Sequence, residues 1–411
     1  MERQPLDVAS DLSDDTRPRA LSAHPLTALI VVPTLQAGAS DAGAVALVRI
    51  LASAGHKSIV VSSGGRLTSE AEAAGAICTV LNVASRNPIA MLRNAFALKR
   101  LIRDRRCDLV HAHGRAAAWS AYFAARMTGV PFITTWYKGF REQNAFKRLY
   151  NSVMVRGTRV IAVSDQIAEL INDRYGTAWD RIAVVPASVD PERFDPSAVS
   201  RERIDTARRA WGVGPNDRIV LVAGRMLRRK GHHTVIDAAR RLKAMGLKDF
   251  VCVFASEDHG TRYAGELWDQ VLATETSDVI RMTGALTDPP AAYAAATVVV
   301  SAAVQPEGLQ RALLEAQAMA RPVVVSDLGA GPDVVLAPPT VPDDRTTGLK
   351  FSAGDDAALA TSLVRLFSMS DPIRNAIGAR GRAWVLGHFN EPAVAELTLN
   401  LYAEVAGPPK G

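Results

Sequence analysis

The chain has 411 residues, 48% of them hydrophobic and 22% charged, with a formal net charge of +6. This is ample for large buried cores and predicts two or three domains, and the lack of any run of about 18 apolar residues excludes an ordinary membrane-spanning helix. The basic balance suits an anionic substrate or an anionic membrane surface, whereas no basic–aromatic stripe or known motif points to nucleic acid, which is not expected as a partner.

Residues 1–25 read as a disordered lead of mixed charge without periodicity. Glu2, Asp7, Asp11, Asp14 and Asp15 stand where a signal peptide would be basic and then apolar, so a cytoplasmic protein is expected. Cys78, Cys107 and Cys252 are far apart and odd in number, as buried small hydrophobes in a reducing compartment would be. Strands are predicted over 27–32, 58–62, 77–81, 109–111, 131–135, 159–163 and 182–185. Helices fall between them over 43–54, 69–74, 89–103, 116–128, 146–155 and 167–175. The helix over 89–103 has Met91, Leu92, Ala95, Leu98, Leu101 and Ile102 on its predicted inner side. Residues 190–214, with Pro191 and Pro196, read as a linker region.

The rhythm then restarts, with strands over 219–223, 250–254, 279–282, 297–301 and 322–326. Helices are predicted over 234–245, 264–273, 290–295, 311–319 and 356–368, followed by helical patterns over 373–388 and 392–405. Such alternation predicts an α/β protein with two Rossmann-like, doubly wound parallel-sheet domains, over 26–196 and 197–388, facing across a cleft. The last segment, 389–411, is a helix and tail expected to pack back toward the first domain. A cleft between two such domains is a natural substrate site.

Chemistry concentrates in two stretches. In the first, the apolar run 219–223 ends at Gly224, and Arg225, Lys230 and Gly231 precede a helical pattern. A strand, a glycine turn, two cations and a helix start make an anion site at the carboxyl end of a parallel strand. On this stretch alone, a βα turn with surface cations fits equally well. His232 and His233 are placed on the surface in the helix's first turn, pointing different ways, with no metal implied. In the second, Glu307 lies in a loop after an apolar strand. Glu315 follows in the second turn of a helix starting near 309–311, whose N-terminus points at the cleft. Carboxylates accept several hydrogen bonds from sugar hydroxyls, although either one alone also fits a solvated surface.

With G-R-x4-K-G, then E-x7-E, then P-V-V-x-S, the chain resembles the retaining glycosyltransferases of family 4, which have the GT-B fold. The resemblance runs from about Leu26 to the end. It includes the turn at Gly55 and His56, the D-L-V-H-A-H strand ending at His113, the V-I-A-V-S step ending at Ser164, and the F-N-E-P and L-Y tail. More narrowly, S-S-G-G-R-L, V-A-S-R-N-P, Y-N-S-V-M-V-R-G and E-A-Q-A-M resemble the lipopolysaccharide-core glycosyltransferases of alphaproteobacteria.

The resemblance implies that Arg225 and Lys230 hold the donor diphosphate and neutralise the leaving nucleotide. It implies that Glu315 accepts from the ribose, that Glu307 contacts the transferred sugar, and that His113 is the cleft histidine orienting that sugar. Gly284 falls at the nucleobase loop, Gly38 permits close approach to phosphate, and Gly308, Leu309 and Gln310 border the donor. Gln310 stands where the family has glycine, so a side chain is expected at the donor. A second family glycine is lost in the A-x-G-x-P step, which here reads Ala318-Met319-Ala320-Arg321-Pro322. The implied reaction moves a hexose, with retention, from a nucleotide diphosphate sugar to a glycolipid or polysaccharide acceptor of the cell envelope, with lipopolysaccharide core leading.

No D-x-D and no His/Cys/Asp cluster with ligand spacing is present, so neither a metal nor any cofactor beyond the donor substrate is expected. The segment 93–106 is a basic amphipathic helix, and Arg141, Lys147, Arg148 and Arg156 follow among Trp136, Tyr137, Phe140 and Phe146. It reads either as a solvated face or as a peripheral dock on an anionic inner membrane. Two rival functions stand beside the transferase: a GT-B sugar-nucleotide epimerase or phosphorylase-like enzyme, and a non-catalytic nucleotide-sugar or glycan binder.

Overall fold

Residues 25–36, 38–139 and 144–407 are described by a computed structural model. The lead expected over 1–25 lies outside them save for its last residue, as do Phe140 and Arg141 of the basic–aromatic segment and residues 408–411 of the tail.

The first half holds β1 (Thr27–Val31), β2 (Lys57–Ser62), β3 (Ala76–Val80), β4 (Leu109–His113), β5 (Phe132–Trp136), β6 (Arg159–Ala162) and β7 (Ile182–Val184), in one parallel sheet ordered β3-β2-β1-β4-β5-β6-β7. Its helices are α1 (Ala39–Ser53), α2 (Thr68–Ala73), α3 (Pro88–Asp104), α4 (Arg115–Thr128), α5 (Ala145–Asn151) and α6 (Asp165–Tyr175). The second half holds β8 (Arg218–Ala223), β9 (Phe250–Ala255), β10 (Ile280–Thr283), β11 (Val298–Ser301), β12 (Val323–Ser326) and β13 (Gly348–Phe351), ordered β10-β9-β8-β11-β12-β13. With them run α7 (Arg201–Ala210), α8 (His232–Ala244), α9 (Arg262–Ala273), α10 (Pro289–Ala295), α11 (Arg311–Ala318), α12 (Asp356–Ser368), α13 (Asp371–His388) and α14 (Glu391–Ala406).

The central strands are largely apolar because helices cover both faces of each sheet; β4 and β5 also carry the buried polar residues His111, His113, Thr134 and Thr135. Two apolar clusters sandwich the first sheet and two the second. Two elements depart from the sequence expectation. α7 lies inside the expected linker: it has Ser200 as its N-cap and no fully buried residue, only Ile204 and Ala207 leaning on the core. Its charges hide a narrow apolar stripe, and Arg203 ties it to Asp288 ahead of α10 with two 2.8 Å bonds. β13 is four residues long and pairs only with β12, too short to show a period of its own. On α3, Leu92 is not on the inner side as expected; it is 53% exposed, beside Phe96 at 54%.

α14 leaves the second half and docks on the first. Its Leu401 and Tyr402 join the cluster containing Val48, Leu109, Ile133 and Ile161. Tyr402 Oη lies 2.7 Å from His111 Nδ1, and His111 Nε2 lies 2.7 Å from Thr135 Oγ1, so this buried imidazole has a partner on each nitrogen.

The strand orders place the site. In the first sheet the winding reverses between β1 and β4, and in the second between β8 and β11. At such a switch point the two flanking connections part to opposite faces and leave a crevice at the strands' carboxyl ends. Both crevices open to one cleft of about 3120 Å³, lined from both halves. Replacing Tyr402 by Phe orphans a buried ring nitrogen of His111; a destabilisation of about 1–3 kcal/mol is expected in urea unfolding, and an unchanged midpoint would show that the bond carries no stability.

Candidate active site

The second-half wall starts where β8 stops. Gly224 has φ 134°, a conformation that L side chains rarely adopt, and turns the chain into the cleft. Arg225 projects there, 69% exposed, and pairs at 3.1 Å with Asp258 of the turn after β9. Arg229 and Lys230 close instead on Glu307, from the loop after β11. Arg229 Nε lies 2.6 Å from Oε1, and Lys230 Nζ pairs with Oε2. Glu307 is only 8% exposed, and a carboxylate so deeply placed needs such partners to stay charged.

Glycines make this approach possible. Gly231 has φ 68°, and a Cβ there would lie 1.7 Å from the Ala302 carbonyl oxygen. Gly329 has φ 65°, and a Cβ there would lie 2.4 Å from both the amide nitrogen and the carbonyl oxygen of Glu307. The Val304 amide donates to the Arg229 carbonyl at 2.8 Å. The loops after β8 and β11 are therefore pressed together, and Lys230 and Glu307 form one cluster on one wall; Glu307 does not stand across a gap from the cations.

The other predicted residues fall as follows. Glu315 is in the second turn of α11, accepts from Tyr293 Oη at 2.8 Å and pairs with Arg311 at 3.2 Å. Leu309 lines the cleft and leans on the second core. Gln310 is buried, accepts from Ser301 Oγ and also lines the cleft. Gly308 meets the other half of the molecule: a Cβ there would lie 1.9 Å from the Tyr137 carbonyl oxygen. A Cβ on Gly284 would meet open space, and its neighbours Ala285 and Leu286, not Gly284 itself, line the cleft. His232 is buried, not on the surface. Its ring meets Phe254 edge-on at 5.2 Å, and burial holds its pKa down to about 4, with Lys230 adding to the effect.

On the first-half wall, Gly38 N-caps α1 with φ −73°. Its amide donates to Asp41 Oδ2 at 3.1 Å, as does that of Gln36 at 3.0 Å. A chain carboxylate thus sits at the α1 N-terminus, where the resemblance placed an approach to phosphate, and protein packing sets no demand for glycine at 38. His113 ends β4, 1% exposed, with Nδ1 2.8 Å from Tyr137 Oη. Burial pushes its pKa down to about 3, so the ring is neutral. Its Nε2 is buried without a partner among the described residues. Gly43 leaves room for that tyrosine: a Cβ there would lie 2.1 Å from Oη.

Sequence reading missed Arg229, Lys138, Tyr137, Tyr293 and Asp258. The signal for Arg229 was its place beside Lys230, and for Tyr137 and Lys138 the strand end they follow. Burial lowers the Lys138 pKa, Arg229 and Arg115 add to this, and Glu307 opposes it, so Lys138 faces the cation cluster from across the cleft. Among the described residues, no three His, Cys, Asp or Glu side chains converge as a metal site.

The sequence model of Glycosyltransferase Family 4 matches residues 42–193 and that of Glycosyl transferases group 1 matches residues 217–369. The chain is similar to the D-inositol 3-phosphate glycosyltransferases of Pseudarthrobacter chlorophenolicus (29% identical, 54% of this chain) and Salinispora tropica (27%, 72% of this chain), and spans 55% and 64% of their lengths. It is 22% identical to the UDP-Gal:alpha-D-GlcNAc-diphosphoundecaprenol alpha-1,3-galactosyltransferase of Escherichia coli, over 76% of this chain and 80% of that one. The crystal structure of a Rickettsia africae glycosyltransferase superposes with a TM-score of 0.84 at 27% identity, covering 93% of this chain and 99% of that one. Anabaena HepE in complex with UDP and glucose shares the fold, with a TM-score of 0.79 at 17% identity over 92% and 99% of the two chains.

The Gly308–Tyr137 approach is a point where the two halves touch. Gly308→Ala is expected to cost about 1–3 kcal/mol as overpacking and to open the cleft, seen as a larger radius of gyration in solution scattering with circular dichroism unchanged. Unaltered scattering would mean that this contact does not hold the halves together.

Proposed function

The chain belongs to the family 4 glycosyltransferases of GT-B fold, and from that premise we propose that it moves a hexose, with retention, from a nucleotide diphosphate sugar to a cell-envelope glycan, lipopolysaccharide core being the leading acceptor. The observation that carries this reading is the ion cluster at the β8–β11 switch point. Arg225, Arg229 and Lys230, faced across the cleft by Lys138, set four positive charges against two carboxylates, Asp258 and Glu307, leaving a net +2 among these six groups. A nucleotide diphosphate matches that excess. Its phosphates compete with Glu307 for Arg229 and Lys230, and the displaced carboxylate then accepts hydroxyls of the sugar. As the glycosidic bond breaks, the same fixed cations take up the charge growing on the leaving diphosphate. Neutral His113 offers a hydrogen bond to the sugar from the opposite wall, and Glu315 remains for the ribose. Retention and the lipopolysaccharide acceptor rest on the family resemblance. The UDP and glucose of the Anabaena complex and the lipid-linked acceptor named for the Escherichia coli relative support the donor class and the acceptor class.

The acceptor reading draws support from the surface. α3 presents Ile89, Leu92 and Phe96 at 72%, 53% and 54% exposure among Arg93, Arg100 and Arg103. Phe146 and Leu149 of α5 are exposed beside Lys147 and Arg148. Leu92, Phe123 and Phe146 also border the cleft. Apolar side chains among cations suit peripheral docking on an anionic leaflet, on the cytoplasmic face of the membrane; no helix among the described residues is long and apolar enough to cross it.

Transfer is to be followed by NMR of the donor after thermal-shift selection among UDP-, GDP-, ADP- and dTDP-sugars. Lys230→Ala and Glu307→Ala are each expected to lower the rate about 100-fold or more, and the wild-type rate is expected to persist in EDTA. Activity lost to chelator and restored by magnesium or manganese would overturn the metal-free mechanism. Donor turnover without acceptor would favour the epimerase, and variants as active as the wild type would favour a binder. Sedimentation with phosphatidylglycerol vesicles at low salt is expected, lost at high salt and in Leu92→Ser/Phe96→Ser; failure of the wild type to bind would sink the docking reading.

A further inference from the structure

β8 and β11 are neighbours in the second sheet, but their pairing is short. It joins Val298 to Val220 and Val299 to Leu221 and stops there, while β8 runs on to Ala223 and β11 to Ser301. Their connections part at this switch point, and behind the crevice lies a small cavity of about 10 Å³. Gly224, Lys230 and Gln310 line both the cavity and the cleft, so they form the partition between the two. His232 and Ser301 supply the rest of the cavity's polar lining. The cavity therefore sits directly behind one of the cations at the donor.

Buried polar atoms meet there without an answer from the protein. Ser301 Oγ donates to Gln310 Oε1, which leaves Gln310 Nε2 with no partner among the described residues. His232 opens α8, and neither its Nδ1 nor its Nε2 is partnered. The ring is 1% exposed and neutral, so it carries one donor and one acceptor. Leaving such groups unanswered in the interior is costly. The volume matches a single water, which needs about two to four polar partners. A sugar or a phosphate is far too large for it, and the charge of Lys230, which acts on the His232 ring, opposes a metal cation.

We propose that one ordered water bridges Gln310 Nε2 and the His232 ring in this cavity, and that through it His232 is a positioning residue that keeps Lys230 at the donor diphosphate. The positioning role rests on the transferase reading and deepens it; the water does not depend on that reading. In the free protein Lys230 is held by Glu307. When the donor draws Glu307 to its sugar, what keeps Lys230 from relaxing inward is the material behind it. A water fixed by a buried imidazole and a buried amide fills that space and resists displacement, because leaving it would orphan both partners again. Lys230 then stands still where charge grows on the leaving diphosphate.

The water is tested in crystals of the full chain whose density is sharp enough to place single waters. A peak within hydrogen-bond distance of Gln310 Nε2 and of one His232 ring nitrogen is expected, and its absence overturns the proposal. The role is tested with His232→Leu and His232→Gln, using the donor chosen by thermal shift. His232→Leu is expected to lower kcat about tenfold with little change in donor KM, because a loosened cation still binds the resting diphosphate but no longer stands fixed where charge develops. His232→Gln puts an amide donor and acceptor in place of the ring and is expected to recover most of that loss. Wild-type kcat in His232→Leu, or equal losses in the two variants, overturns the positioning role. Urea unfolding adds a readout free of activity. A dry cavity leaves the ring nitrogens unanswered, so His232→Leu would then raise the midpoint, whereas losing a water-bridged ring is expected to lower it. A chain that no nucleotide shifts fails the transferase reading itself, while the crystal density and the unfolding midpoint still decide the water.

Discussion

A buried carboxylate stays ionised only beside cations, and in this molecule that requirement joins two loops that are far apart in sequence. Glu307 reaches its partners because Gly231 lets the β8 loop approach the end of β11, while Gly329, in the loop after β12, packs against the Glu307 backbone, both within distances that no side chain could share. Each ion pair alone would be a modest contributor. Their weight here comes from placement: the cluster lies at the topological switch point, where the strand ends supply a crevice and the packed loops supply fixed charge. Fixed charge is what stabilising a developing phosphate needs, since it costs no reorganisation at the moment of reaction. In the free protein Glu307 holds those cations in place, and the site carries an internal stand-in for the anion it receives.

The facing wall works by the opposite device. The first half uses its own Asp41 to satisfy one helix N-terminus and leaves the next one open. It buries His113 until the ring is neutral and orients it through Tyr137. Tyr137 serves twice, because its backbone carbonyl is also where Gly308 of the second half comes to rest. The residue that orients the cleft histidine therefore also marks the contact between the halves, and ring orientation and cleft width are coupled through one side chain and its own backbone. The Arg66–Glu257 pair spans the same cleft at 2.8 Å, but both partners are half exposed, so it adds little holding energy.

Much of this was legible in the linear chain. Largely apolar strands alternating with amphipathic helices satisfy both faces of a sheet as a parallel, doubly wound layer. Gly224, Arg225, Lys230, Glu307 and Glu315 could be picked out because strand ends, glycines and charges follow one another in a fixed order there. What escaped was of two kinds. Short or weakly patterned elements carry too little periodicity, as with β13 and the charge-rich α7. Residues whose meaning depends on a distant partner carry no local mark at all. Arg229 reads as one more surface cation until Glu307 is beside it, Gln310 carries no sign of its bond to Ser301, and His232 reads as exposed until Phe254 covers it.

The sequence by itself determined the two-domain α/β architecture, the family, and which loops hold the chemistry, because hydrophobic period, glycine position and charge are local properties of the chain. Tertiary structure alone decided how those loops are used: that Glu307 neutralises Lys230 on its own wall, that Gly38 serves Asp41, that Gly308 is a seat for the other half, and that the N-terminus of α4 is left open. Each of these is a relation between segments that only packing brings within a few ångströms, and at that range desolvation and close charge outweigh anything a residue's own type can announce.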